Sequence, residues 1–482
     1  MQNTQAMPVK APTLLTMLLA VLLACACASI PADRHAIVQR DVASVSLAAD
    51  IRLAREGWPE RQWWTRYADP QLDALIGQGL AQSPTLEIAA ARISAAQTSL
   101  AIQGAATGGA LLLEGGANRQ RYSGNGLFPE PIGGNYFSQT NVQIQARYEF
   151  DWWGKNRAQI AAAVGEVNAR RADFAQAEQV LAGAIAQSYF ALQGDWARMA
   201  NLQTLIATQQ ALLAEKHKRI DRGLATRDDV SNADAEVSNL KKAIAQFDMQ
   251  ARLEREALRA LLGADNTALA DLSPRQVPDL PHALPARLGM ELLARRADLQ
   301  AARYRVEAAL GNIDAARAAF YPDLNLNGSI GLDSVSLSKL LSYNSRTLFI
   351  GPTLTLPLFD SHRLNAEISA ARATRNTLIG DYNQAVLNVV RDVAQQGASL
   401  QGLERQISEQ AAAIHAGREL LRTAQARLRQ GLADRTAVLA AELAVQKQQD
   451  LMLQLQNQQL QSEVALTKAL GGGYQATYQA AP

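Results

Sequence analysis

The sequence predicts a mainly α fold with a smaller β part, in which one unit of long helices and a β-hairpin occurs twice. Two stretches, 155–222 and 361–430, contain no proline and repeat apolar residues at spacings of three and four, as amphipathic helices do. Four shorter stretches alternate apolar and polar residues, which is typical of strands with one polar face. Matching features of the two halves also lie about 208 positions apart.

The strand predictions depend on a period of two. Val142, Ile144 and Phe150 alternate with polar residues such as Gln143 and Gln145. A Gly- and Pro-containing loop separates this stretch from its expected hairpin partner, and a Ser-rich loop separates the second pair. The predicted strands are 110–122, 139–150, 323–333 and 346–358.

Each long helix is expected to span about 100 Å, because roughly 65–70 residues rise about 1.5 Å each. Gly223 ends the first, and Asp228 or Asp229 is expected to start the next helix. Gly431 ends the second.

The spacing of these breaks indicates a duplication. Gly223 and Gly431 lie 208 positions apart, and so do the Leu-Gly pairs that begin at Leu262 and Leu470. The predicted organisation follows, in order: signal peptide 1–27, irregular segment 28–62, first repeat 63–272, Pro-rich linker 273–286, second repeat 287–471 and tail 472–482.

Composition excludes several classes of function. The formal net charge is +2, from 47 basic and 45 acidic residues, so no nucleic-acid partner is expected. The five histidines are scattered, and no catalytic constellation is recognisable. We therefore expect no enzyme activity, no metal and no cofactor.

The N-terminus predicts export. Lys10 precedes a short apolar run, and small residues and two cysteines follow it. This pattern is similar to a bacterial lipoprotein signal, with Cys27 as the lipidated residue and Cys25 as the alternative. A plain signal peptide cleaved at an Ala-x-Ala site is the other interpretation.

Four strands cannot close a barrel across a membrane, since unpaired edges in lipid are very costly. Several chains must contribute, and three would give twelve strands around an aqueous lumen. The long helices could pack laterally into a tube with the same symmetry. A soluble coiled-coil rod with incidental hairpins is the alternative, against which the export signal argues.

Four motifs occur in order on this duplicated frame, and together they resemble the TolC/OprM-type outer-membrane efflux proteins, in particular the NodT-like lipoprotein branch. The motifs lie at Trp64 to Leu72, Tyr148 to Lys155, Arg295 to Leu299 and Ala316 to Pro322. The resemblance implies a homotrimer with a twelve-stranded β-barrel in the outer membrane and a twelve-helix periplasmic tunnel. It also implies a periplasmic adaptor and an inner-membrane RND-type pump as partners.

The resemblance places adaptor docking and the closure of the tunnel at the two helical turns. The implied docking residues are Arg222, Gly223, Leu224, Gly431, Leu432 and Arg435; ordinary helical-hairpin turns are the alternative interpretation. Asp229 matches a gating aspartate of the family, whereas Ala437 stands where the second repeat would carry one. This departure puts a six-charge ring in doubt.

An aromatic group lies where the second strand meets the first long helix: Tyr148, Phe150, Trp152 and Trp153. These residues are expected to face the membrane interface, which Trp and Tyr favour. Packing at the junction of barrel and tunnel is the alternative.

The functional prediction is an outer-membrane channel of a tripartite efflux pump that exports drugs or other small toxic molecules, anchored in outer-membrane lipid. A duct for protein (type I) secretion is the alternative. A periplasmic adaptor and a structural coiled coil fit the duplicated strands less well.

Overall fold

The computed structural model describes residues 30–42, 51, 58–265, 267, 269–276, 295–357 and 360–475. It consists of long helices and one four-stranded antiparallel sheet, which confirms the predicted fold class. The chain divides into two compact units. The first takes its described residues from 1–39, 93–169 and 303–381, and the second from 40–92, 170–302 and 382–482. Each unit contains parts of both predicted repeats, and the repeat boundaries stay a prediction.

The first half of the chain runs from a short 3₁₀ helix to a helical hairpin. The elements are the 3₁₀ helix Trp63–Tyr67, α1 Pro70–Gln82, α2 Pro84–Ala106, β1 Ala110–Arg121, β2 Tyr136–Phe150, α3 Lys155–Ile220 and α4 Arg227–Leu262. Asp69 caps α1 by accepting a hydrogen bond from the Gln71 amide, and Pro70 occupies the first turn.

The second half repeats this order from the helix before the hairpin onwards. Its elements are α5 Ala297–Ala318, β3 Asp323–Ser334, β4 Arg346–Thr355, α6 Ser361–Arg429 and α7 Arg435–Ala469, with two single-turn 3₁₀ segments between β3 and β4. The strand β2 begins three residues before its predicted start. The strand β4 ends at Thr355, and position 358 lies outside the described residues.

The sheet belongs to the first unit and has the order β1-β2-β3-β4. Each neighbouring pair is antiparallel. A separate small apolar cluster in this unit joins Phe320 to Leu364 and Ile368 on α6.

The main apolar core lies in the second unit. Side chains from the 3₁₀ helix, α1, α2, α3, α4 and α7 meet there, including Trp63, Leu72, Ile185, Leu258 and Val464. A second cluster in the same unit joins α3, α4 and α7 through Leu205, Leu240 and Leu443. The duplicated helices therefore pack on one another, as their apolar spacing requires.

One ion pair lies at the edge of this core. Arg66 of the 3₁₀ helix pairs with Glu463 of α7, and Glu463 is only 2% exposed. Burial raises the pKa of the Glu463 carboxyl to about 7, although the Arg66 guanidinium opposes that shift.

Candidate functional site

The sheet has one continuous apolar face. Leu113 on β1 lies opposite Ile144 on β2, which lies opposite Ile330 on β3, which in turn lies opposite Leu348 on β4. All four side chains are exposed in the chain alone. A row of exposed aliphatic side chains across four strands needs an apolar environment to cover it.

The other face of the same sheet is polar and internally hydrogen-bonded. Gln145 Nε2 donates to Glu114 Oε2 at 2.6 Å, and Gln139 Nε2 donates to Asp333 Oδ2 at 3.0 Å. Nearer the helices, Asn327 Nδ2 donates to Thr353 Oγ1 at 2.8 Å. Such a face suits water, so the two faces have opposite solvent requirements.

Both edges of the sheet remain open within the described residues. There β1 pairs only with β2, and β4 pairs only with β3. Each edge therefore presents a row of backbone donors and acceptors that another strand can satisfy.

The predicted aromatic group lies at the helix-proximal end of β2. Tyr148 and Phe150 contact each other edge to face at 4.9 Å between ring centroids. Trp153 stacks on Tyr321 at 4.5 Å, and its Nε1 donates to the Pro322 carbonyl at 3.0 Å. Trp152 is 68% exposed, and the other three are also exposed within the chain. The membrane-interface role stays a prediction.

The two helical turns have the same backbone structure. Gly223 and Gly431 adopt left-handed φ values of +72° and +74°. In the first turn the Leu224 amide donates to the Arg219 carbonyl at 2.8 Å, and in the second the Leu432 amide donates to the Arg427 carbonyl at 2.8 Å. This is the bonding of a Schellman cap, for which glycine is the favoured residue.

The helix starts that follow these turns are capped differently. Thr226 is the N-cap of α4, and Asp229 completes a capping box by accepting from the Thr226 amide at 2.9 Å. The expectation that Asp228 or Asp229 starts the helix is therefore wrong, because the Thr226 hydroxyl already serves as the N-cap acceptor. In the second turn Asp434 is the N-cap and accepts from the Ala437 amide at 3.0 Å.

The two turns therefore carry these carboxylates at different positions of the helix start. Asp229 and Ala437 both occupy the third helical position, whereas Thr226 and Asp434 both occupy the N-cap. Hydrogen bonds from Thr226 lower the pKa of Asp229, and hydrogen bonding from Thr436 lowers the pKa of Asp434. Both carboxylates are therefore ionised at neutral pH.

An ion pair connects the two turns. Arg219, in the last turn of α3, pairs with Asp434 and also donates to the Leu224 carbonyl at 3.2 Å. Glu215 adds a longer pair with Arg435, at 3.6 Å. Sequence reasoning missed Arg219, because the only local signal was a basic residue near a helix C-terminus. Its partner lies 215 positions away.

The six predicted docking residues all lie on these turns and are exposed. Leu224 and Leu432 are apolar and yet 62% and 74% exposed. The lipid-attachment candidates Cys27 and Cys25 lie outside the described residues.

In the described part of the chain, no group of His, Cys, Asp and Glu side chains is placed to hold a metal ion. Among the same residues, no helix has the length and apolar character needed to cross a membrane.

Comparison with known proteins agrees with this architecture. A family model described as outer membrane efflux protein matches residues 75–264 and 288–472. The multidrug resistance outer membrane protein MdtP of Escherichia coli (strain K12) is 38% identical over 460 residues, which are 93% of this chain and 94% of MdtP. The putative multidrug resistance outer membrane protein MdtQ of Shigella flexneri is 33% identical over 462 residues, covering 94% of this chain and 96% of MdtQ.

A solved structure supports the same assignment. The outer membrane protein VceC from Vibrio cholerae matches with a TM-score of 0.79 and 30% identity, over 86% of this chain and 100% of VceC. The chain belongs to the outer membrane efflux protein family.

Proposed function

We propose that three copies of this chain assemble into an outer-membrane channel. The observation that carries the proposal is the four-stranded sheet with one apolar face, one polar face and two open edges. If β4 of each copy pairs with β1 of the next, three copies form a closed twelve-stranded barrel with lipid outside and water inside.

The long helices would extend this channel as a periplasmic tunnel. The exposed Leu224 and Leu432 on matching turns give an adaptor protein two similar apolar contact points per chain. An inner-membrane RND-type pump would supply the energy, and the channel itself would have no catalytic role. Because both curated relatives are named multidrug resistance proteins, we propose drugs or other small toxic molecules as the cargo.

Arg219 and Asp434 are the proposed latch of the closed tunnel. Their pair connects two hairpins that must separate if the turns move apart. Asp229 is the second gate candidate, although its carboxylate is already engaged by Thr226.

A lipid on Cys27, or on Cys25 as the alternative, would anchor each chain to the outer membrane. Mass spectrometry of the mature N-terminal peptide would distinguish these residues by the position of the acyl groups. An N-terminus without acyl groups at Cys27 or Ser29, as cleavage after an Ala-x-Ala site would leave, would instead support a plain signal peptide.

The assembly is tested with protein extracted from membranes in detergent. Light scattering should give the mass of three chains, and the same sample should form ion-conducting channels in planar bilayers. A monomer without conductance would contradict the proposal.

The cargo is tested by deleting the gene and measuring growth on a panel of toxic compounds. Restored resistance on complementation supports small-molecule efflux. Unchanged resistance together with loss of a specific protein from the culture medium would instead support the alternative, protein secretion.

A further inference from the structure

The charged residues of the sheet are separated by face. The strands contain four acidic residues, Glu114, Glu149, Asp323 and Asp333, and four arginines, Arg119, Arg121, Arg147 and Arg346. The pairing of the strands places all four acids and Arg147 on the polar face. The other three arginines lie on the apolar face, where β1–β4 supply no acid.

These three arginines also share one end of the sheet. Arg121 lies opposite Tyr136 and Arg119 opposite Ser138, next to the β1–β2 connection. Arg346 lies opposite Leu332, where β4 begins. The helices start from the other end, beyond Phe150 and Asp323, and there the apolar face ends in the aromatic group.

The length of the apolar face indicates where these arginines would lie relative to the membrane. From Phe150 to Val142 the face rises about 27 Å along β2, at about 3.4 Å per residue. At a tilt of about 40° this spans roughly 20 Å of membrane, close to the apolar band of known barrels. The three arginines lie level with the Val142 end of this apolar stretch or past it, at the depth of the lipid phosphate groups.

Two of the three arginine side chains also lie against aromatic rings. The Arg346 guanidinium lies 4.4 Å from the Tyr343 ring centroid, and that of Arg119 lies 5.5 Å from Tyr136. Cation–π contacts of this kind leave the edge of the guanidinium open to an anion. Among the described residues, none of the three arginines forms an ion pair with a carboxylate.

We propose that Arg119, Arg121 and Arg346 form a binding site for the phosphorylated headgroup of an anionic lipid in the outer leaflet. The inference rests on the proposed barrel, because closure would bring β4 of one copy beside β1 of the next. Arg346 of one copy and Arg119 and Arg121 of its neighbour would then border the same lipid. Arginine binds phosphate oxygens through two parallel hydrogen bonds, which a Gln cannot replace.

The test measures binding of diphosphoryl lipid A to the detergent-purified assembly by native mass spectrometry. The Arg119→Gln/Arg121→Gln/Arg346→Gln variant should bind at least about tenfold more weakly, since each lost charged hydrogen bond is substantial. The matched Arg147→Gln variant removes an arginine from the polar face and should bind as wild type does. Lysine at the three positions should give an intermediate affinity.

Two further arms identify the ligand chemistry. Removing both phosphates from lipid A should weaken its binding to the wild type as much as the triple Gln substitution does. Free inorganic phosphate should not displace the lipid. Equal binding by the triple Gln variant, or no effect of dephosphorylation, would overturn the inference.

Bilayer conductance separates this result from the proposed function. If the triple variant conducts and binds the lipid unchanged, only the lipid site is wrong; if wild type gives neither trimer nor conductance, the barrel itself is wrong. Should the triple variant fail to assemble, Arg119→Gln and Arg346→Gln alone must each weaken binding.

Discussion

Two arginine–carboxylate pairs in the second unit have the same chemistry and opposite surroundings. Arg66–Glu463 joins the 3₁₀ helix to α7 beside the main core, with the Glu463 side chain 3% exposed. Arg219–Asp434 joins the two helical turns, with side chains 39% and 49% exposed. Burial raises the pKa of Glu463 to about 7, whereas hydrogen bonds lower that of Asp434.

The difference indicates what each pair can do. Separating a buried pair leaves a charge without its partner and away from water. The Arg66–Glu463 pair therefore favours one fixed arrangement of the 3₁₀ helix against α7. Separating an exposed pair costs about 1 kcal/mol or less, because water solvates both partners. The pair at the turns is therefore suited to breaking during opening, and the pair beside the core is not.

The largest effect is expected when the buried pair loses its cation. At pH 8 the Arg66→Met variant should lower the free energy of unfolding by about 3 kcal/mol, because Glu463 would stay buried without its partner. Circular dichroism along a denaturant series measures the change. Arg222→Met, at an exposed position, is the control and should change stability little. Equal stability of both variants would show that the two environments do not differ as described.

The second effect is a pH dependence that only the buried pair should give. The folded-state pKa of Glu463 is raised, so its stabilising contribution is complete below its ordinary pKa and is lost as the pH rises through about 7. Wild type should therefore lose about 2–3 kcal/mol of stability from this group between pH 5 and pH 8.

Two variants separate the environments in this experiment. Glu463→Gln should remove most of that slope. Asp434→Asn should leave it unchanged, since a carboxyl with a lowered pKa loses its contribution only as the pH falls below its ordinary range. The free energy of unfolding of each variant is measured from pH 5 to pH 8. Identical slopes in wild type and Glu463→Gln would contradict the raised pKa.

Much of this fold could be predicted from local pattern. The helical period, the breaks at Gly223 and Gly431 and the alternation in β2 are properties of neighbouring residues. The choice of Thr226 over Asp229 as the N-cap was missed, because both residue types are good caps and only geometry decides between them.

The ion pairs were beyond such reasoning. Arg66 and Glu463 are 397 positions apart, and Glu463 lies in a Gln-rich helix without any local sign of burial. Their contact depends on how α7 packs, which periodicity does not specify. The separation of arginines by sheet face, in contrast, follows from strand alternation once the pairing is known.

The exposed pair should affect opening more than stability. Arg219→Ala and Asp434→Asn should each raise resting conductance in planar bilayers several-fold, with unfolding free energies within about 1 kcal/mol of wild type, because Asn keeps the N-cap of α7 but not the charge. Because each substitution breaks the same ion pair, the double variant should raise the conductance little further. The reversed pair, Arg219→Asp with Asp434→Arg, should recover part of the closure. Wild-type conductance in both single variants would rule out the latch.

The smallest effect is expected at Asp229, where charge and helix capping can be separated. Gln at this position can still accept from the Thr226 amide through its side-chain oxygen but carries no charge, whereas Glu keeps both features. If Asp229 contributes to the gate by its charge, Asp229→Gln should change cation selectivity and modestly raise conductance, and Asp229→Glu should resemble wild type. Asp229→Ala also weakens the α4 cap, by roughly 0.5–1 kcal/mol. Reversal potentials in a salt gradient distinguish these roles: equal selectivity in wild type and Asp229→Gln would leave Asp229 as a cap alone, and gating would depend on Arg219 and Asp434.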